Sequence, residues 1–90
     1  MAKYKIVLTS LFKKELKLAK KRNKNLDKLT KVVDILSTGN SLPLIYKDHQ
    51  LINNTRFYNW RECHIEPDWL LVYQINNDEL ILLLVETGTP

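Results

Sequence analysis

Two imidazoles, His49 and His64, are all that the ninety-residue chain contains, and each stands in a run of ionisable side chains. His49 falls in Y-K-D-H-Q-L (46–51), and His64 in R-E-C-H-I-E-P-D (61–68). Two imidazoles, a carboxylate and nearby cations such as Arg61 are the parts needed to cleave RNA without a metal. The 2′-hydroxyl must lose a proton to attack its own phosphate, the 5′-oxygen must gain one to leave, and the charged phosphorane needs donors around it. Histidine suits either transfer because it titrates near working pH. The plainer alternative is that each histidine is structural or simply exposed. A metal site competes for the same residues, but two histidines and one well-placed carboxylate have no recognisable ligand spacing. Neither a metal nor a cofactor is expected.

The elements that must position these residues follow from periodicity. Residues 3–8 alternate, with Tyr4, Ile6 and Leu8 on one face, as in a half-buried strand. Thr9 and Ser10 offer N-cap hydroxyls to a helix carrying Phe12, Leu16 and Ala19 at helical spacing. Asn23 to Asn25 break it. Leu26, Leu29, Val33 and Leu36 then mark a second helix, with Asn25 as its cap, Asp27 in its first turn and Gly39 as its stop. So short a connection predicts an antiparallel helix hairpin. Residues 40–54, interrupted by Pro43, read as loop.

Three strands close the chain, at residues 56–65, 69–75 and 80–86, joined by tight turns at Pro67-Asp68 and Asn76 to Asp78. In the first of them Glu62, His64 and Glu66 alternate with Cys63 and Ile65, which gathers the titratable groups on one side of the sheet. Asp68, just past the turn, can lie close to that side. The expected fold is α+β: one antiparallel-type sheet in the order β-α-α-β-β-β, with the helix hairpin on one face, in a single domain spanning residues 1–90.

Composition narrows the setting. A single cysteine excludes an intramolecular disulfide framework and a cysteine zinc site, which points to a cytoplasmic protein. No apolar run is long enough to span a membrane. The net charge of +4 is unevenly held: residues 1–25 carry nine Lys/Arg against Glu15 alone. Lys13, Lys14, Lys17 and Lys20 on the first helix are candidate RNA-phosphate contacts, with Arg61 as a further one. A solvated lysine face accounts for the helix equally well.

"YKDHQL", "RECHIEPDWLLVYQ" and "LLVETGT" together resemble the YafQ-like branch of the RelE superfamily of toxin endoribonucleases from bacterial toxin–antitoxin modules, and the likeness covers nearly the whole chain. The resemblance implies a RelE-like fold, cleavage of mRNA in the ribosomal decoding site, and a cognate antitoxin that silences the toxin. It implies a toxin that is monomeric alone and enters a heterotetramer with its antitoxin. By the same likeness His49, His64 and Asp68 match the family's acid–base residues. One departure stands out: the family's last strand usually ends R-T-G-T-H before a short tail closing on an aromatic, whereas this chain reads E-T-G-T-P. Glu86 replaces a phosphate-holding arginine and Pro90 a further histidine, which predicts weakened cleavage. The alternatives are an inactive binding module of the same fold that grips antitoxin or RNA, and a purely structural basic protein.

Overall fold

The computed structural model describes residues 3–51 and 60–88. Among these, the elements run β1 (Lys5–Leu8), α1 (Ser10–Lys21), α2 (Leu26–Ser37), a 3-10 turn (Leu44–Tyr46), β2 (His49–Gln50), β3 (Trp60–Glu66), β4 (Trp69–Asn76) and β5 (Ile81–Gly88). The sheet order is β1-β5-β4-β3-β2. The two helices carry the chain from the β1 edge to the β2 edge, and hairpins bring it back.

β2 to β5 pair antiparallel, as expected. β1 pairs parallel with β5, so the sheet is mixed. The predicted loop at 40–54 is described as far as Leu51, positions 52–54 lying outside the described residues, and that part is more structured than expected: Leu44–Tyr46 forms a 3-10 turn and His49–Gln50 adds an edge strand. Two residues are too few for a period-2 signal, which is why pattern alone reads this stretch as loop. The predicted strand 56–65 is seen from Trp60 and extends to Glu66, while positions 56–59 lie outside the described residues.

Both helices are capped at both ends. Thr9 Oγ1 accepts from the Phe12 amide at 3.0 Å and donates to the Val85 carbonyl at 2.5 Å, so one hydroxyl starts α1 and ties it to β5. Asn25 Oδ1 accepts from the Asp27 amide at 3.1 Å. Each helix ends in a Schellman motif. Asn23 (φ 59°) and Gly39 (φ 84°) take the left-handed position, and the next residue's amide bonds back to Ala19 and Ile35 respectively. Gly39 is there because no side chain is strained at that φ.

One core joins the helices to the sheet. Phe12 and Ala19 of α1 and Leu29, Val32 and Leu36 of α2 pack with Cys63, Ile65, Trp69, Leu71, Tyr73, Leu82 and Leu84. Ile6, expected inside, remains 41% exposed on the edge strand β1. The buried Trp69 indole donates to Thr87 Oγ1 at 2.8 Å, and that hydroxyl donates to the Leu70 carbonyl at 2.8 Å, so burial leaves neither unpaired. Because strand residues alternate, the partners of these core positions, Glu62, His64, Leu70 and Val72, face away from the helices.

Candidate active site

The sheet face opposite the helices is built in rows by cross-strand register. His49 lies opposite Glu62, Glu62 opposite Val72, and Val72 opposite Glu86, so one row crosses β2, β3, β4 and β5. The next row holds His64, Leu70 and Gly88. His64 is two residues from Glu62 along β3, which separates the rows by about 7 Å. The two histidines therefore share one face, His64 by the alternation of β3 and His49 through the β2–β3 register, which a loop reading of residues 40–54 did not foresee.

His49 is held in a defined orientation. Its Nδ1 sits 2.9 Å from the Lys47 carbonyl oxygen, which can only accept, so Nδ1 carries the proton. Nε2 then faces Glu62 Oε1 at 3.4 Å. In the neutral ring with Nδ1 protonated, Nε2 carries the lone pair, which is the atom a general base needs. With its side chain half exposed, His49 is open to a substrate from solvent.

His64 is half-buried; β2 pairs with β3 only as far as Glu62, so at His64 the strand is a sheet edge, and there it borders a cleft of about 600 Å³ between α2, the 3-10 turn and β3. Lys28, Lys31 and Lys47 surround that cleft, with Tyr46 and Ile45 forming its apolar wall. Lys28 is engaged with Glu66 at 2.9 Å. Glu66 departs from the expected alternation with Glu62 and His64: a register irregularity between His64 and Glu66 shifts it, and its carboxylate reaches α2.

Asp68 lies in the β3–β4 turn, with its side chain 73% exposed and 3.7 Å from Lys24. The turn sets it beyond the row of His64 and engages it with the α1–α2 connection. Arg61 is not brought to the histidine face. It lies opposite Tyr73, a core residue, and bonds Asp48 through Nη2 at 2.9 Å and Nε at 3.2 Å. That hydrogen bond holds its guanidinium above the usual arginine range. Lys13, Lys14, Lys17 and Lys20 are exposed on α1, on the side away from Phe12 and Ala19.

Sequence reasoning missed Lys28, Lys31 and Lys47, which line one cleft with His64. Their only signal was spacing: Lys28 and Lys31 lie three apart on α2 and so share a helix face. Glu62 as the partner of His49 was also missed, since the two meet only through the β2–β3 register. Glu15, too, joins the site's border. Its Oε1 accepts from the Thr87 amide at 3.1 Å, and it lines a small cleft of about 150 Å³ with Leu70, Val72, Glu86 and Gly88. Burial, reinforced by Glu86, pushes the Glu15 carboxyl above its ordinary value against the Thr87 bond. Among the described residues, no three His, Cys, Asp or Glu side chains converge to hold a metal.

A mixed sheet ordered in this way, with helices on one face and paired His and Glu side chains on the other, defines a RelE-like toxin fold. Residues 4–89 match the family described as the bacterial toxin of type II toxin–antitoxin systems, YafQ, and the chain belongs to that family. It is 41% identical over 80 residues to the mRNA interferase toxin YafQ of Escherichia coli (strain B / BL21-DE3), covering 87% of this chain and 82% of that protein. It superposes on the toxin in the crystal structure of the E. coli DinJ-YafQ toxin-antitoxin complex with a TM-score of 0.87 and 34% identity, over 97% of this chain and 92% of that one. A metal-bound toxin from Helicobacter pylori matches with a TM-score of 0.87 and 42% identity, over 99% and 94% of the two chains.

Proposed function

We propose that this chain is an endoribonuclease that cleaves mRNA on the ribosome by acid–base chemistry carried on its own side chains. The observation that supports it best is the His49–Glu62 pair, with His64 on the same sheet face. His49 Nε2 takes the proton from the 2′-hydroxyl, and Glu62 stabilises the resulting imidazolium. His64 delivers a proton to the leaving 5′-oxygen, and Lys31 and Lys47, which line the cleft it borders, offset the charge of the phosphorane. Asp68, exposed at the turn and 3.7 Å from Lys24, is assigned to the reaction by family likeness alone.

The same reading assigns α1 to ribosomal RNA and gives the chain an antitoxin partner of acidic character. The relative solved in the DinJ-YafQ complex supports such a partner. The toxin alone is then a monomer, which light scattering checks, and the antitoxin assembles it into a heterotetramer. Glu86 favours a second reading, a fold kept for binding, because it sets an anion in the row of His49 and Glu62 where an attacked phosphate would lie.

The test is cleavage of mRNA on programmed ribosomes with end mapping. Products should carry 2′,3′-cyclic phosphate and 5′-hydroxyl ends, and His49→Ala or His64→Ala should each slow cleavage by about 10²–10⁴-fold. Tight antitoxin binding without cleavage would leave the binding module as the better account.

A further inference from the structure

His49 sits on the weakest piece of the sheet. β2 is two residues long and lies at the edge, and it follows Lys47, whose left-handed backbone (φ 50°) turns the chain into the strand. Its backbone bonds to β3 are few, the Leu51 amide to the Trp60 carbonyl at 2.9 Å among them, so a side-chain anchor adds much to its placement. The neighbouring Asp48 points to the opposite side of the strand and is gripped there by two residues of the central sheet. Arg61 clamps it through Nη2 at 2.9 Å and Nε at 3.2 Å, and the Tyr73 hydroxyl donates to Asp48 Oδ1 at 2.5 Å. Tyr73 is 1% exposed, and burial together with Asp48 keeps its phenol protonated, so it remains a donor. The result is a charge-assisted fork plus a buried phenol on one carboxylate.

We propose that Asp48 is the positioning residue for His49: held by Arg61 and Tyr73 on the helix-bearing face, it locks the β2 register that sets His49 Nε2 against Glu62 on the other. The logic is that of a peg through a board. Alternation puts residues 48 and 49 on opposite faces, so immobilising the first fixes the second. The carbonyl that orients Nδ1 belongs to Lys47, immediately before the peg, and is fixed by it as well. Misplacing a proton-transfer group by about 1 Å can cost on the order of 10²-fold in rate.

This inference rests on the assignment of His49 to proton transfer, so its test includes readouts that do not need cleavage. The full chain is compared with Asp48→Ala, Asp48→Asn and Tyr73→Phe at one pH. His49 Cε1–Hε1 resonances report the ring, and amide exchange of Leu51, whose N–H donates to the Trp60 carbonyl at 2.9 Å, reports the β2 register. In Asp48→Ala the His49 resonance should move toward its free-peptide position and Leu51 exchange should accelerate at least about tenfold. The His64 resonance should stay in place. Asp48→Asn, which still accepts from Tyr73, and Tyr73→Phe, which leaves the Arg61 fork, should be intermediate. In cleavage, kcat should fall about 10²-fold with KM within twofold. Folded variants in which His49 and Leu51 are unchanged overturn the inference, as does a rise in KM with kcat preserved. Absence of cleavage by the parent chain counts against the functional reading alone, and the resonance and exchange measurements then decide the role of Asp48.

Discussion

Cys63 lies between Glu62 and His64 in the chain yet takes no part in their face. It is fully buried among the core residues, and burial, with Asp48 and Glu62 nearby, pushes its thiol up to about 12. A thiol so placed is no nucleophile at neutral pH. Native protein at pH 8 should resist a maleimide or disulfide reagent, and the same thiol should react promptly once unfolded. Modification at equal rates in both states would contradict the packing. The separation of Cys63 and Ile65 from Glu62 and His64 was legible in the alternation of the strand. The clamp of Arg61 on Asp48 was not, because it joins residues 13 positions apart through a two-residue strand. On the proposed function, Glu86 is the residue that limits cleavage. Its pairing with Val72 sets it in the row of His49 and Glu62, so Glu86→Arg combined with Pro90→His and a short aromatic-ending tail should raise cleavage at least about tenfold, by replacing an anion beside the phosphate with a cation and adding a proton-transfer group. Residue 90 lies outside the described residues and is chosen by family likeness, whereas Glu86 is placed by the β4–β5 register. Equal rates before and after the exchange would show that the chain has compensated.

At the scale of elements, α1 does more than cover the core. β1 pairs with β5 only from Ile81 to Leu84, and past that point α1 seals the exposed edge: Thr9 takes the Val85 carbonyl and Glu15 the Thr87 amide. Thr9→Ala removes the helix cap and the Val85 bond together, and should cost about 1–2 kcal/mol in urea unfolding. A loss under 0.3 kcal/mol would sink the claim. Gly88 leaves room for the Glu15 contact, since a Cβ there would stand 2.9 Å from Glu15 Oε2. The raised carboxyl of Glu15 sets the sign of a pH effect. An acid whose folded value exceeds its unfolded one costs stability above that value and nothing below its ordinary 4.5. Glu15→Gln keeps an acceptor for Thr87 and drops the charge. It should therefore melt higher than the parent at pH 7, with the difference vanishing below pH 4.5. A larger difference in acid than at neutrality would reverse the sign and refute the argument. The helices and their caps were readable from residue types, whereas this edge-sealing was not, because it depends on the parallel placement of β1.

At the scale of the molecule, charge is segregated. The exposed lysines of α1 form one basic surface, and Lys28, Lys31 and Lys47 ring the cleft of His64. Two accounts of α1 were open in the sequence, a solvated face and a phosphate-binding one, and the fold sharpens the choice without touching the chemistry of the histidines. On a helix of 3.6 residues per turn, Lys13, Lys17 and Lys20 lie within about 60° of one another, with Lys14 beside them, so all four can meet a polyanion at once. Each phosphate contact releases counterions and contributes about 0.7–0.9 to the slope of log K against log salt. Replacing the four with glutamine should weaken ribosome association and flatten that slope by about 3, while circular dichroism and melting remain those of the parent, since none of the four side chains enters the core. His49 and His64 are untouched, so cleavage at saturating ribosome concentration should be preserved and the loss should appear in KM. A slope and affinity identical to the parent's would return α1 to a solvated face. An equal loss in kcat at saturation would instead place these lysines in the reaction itself.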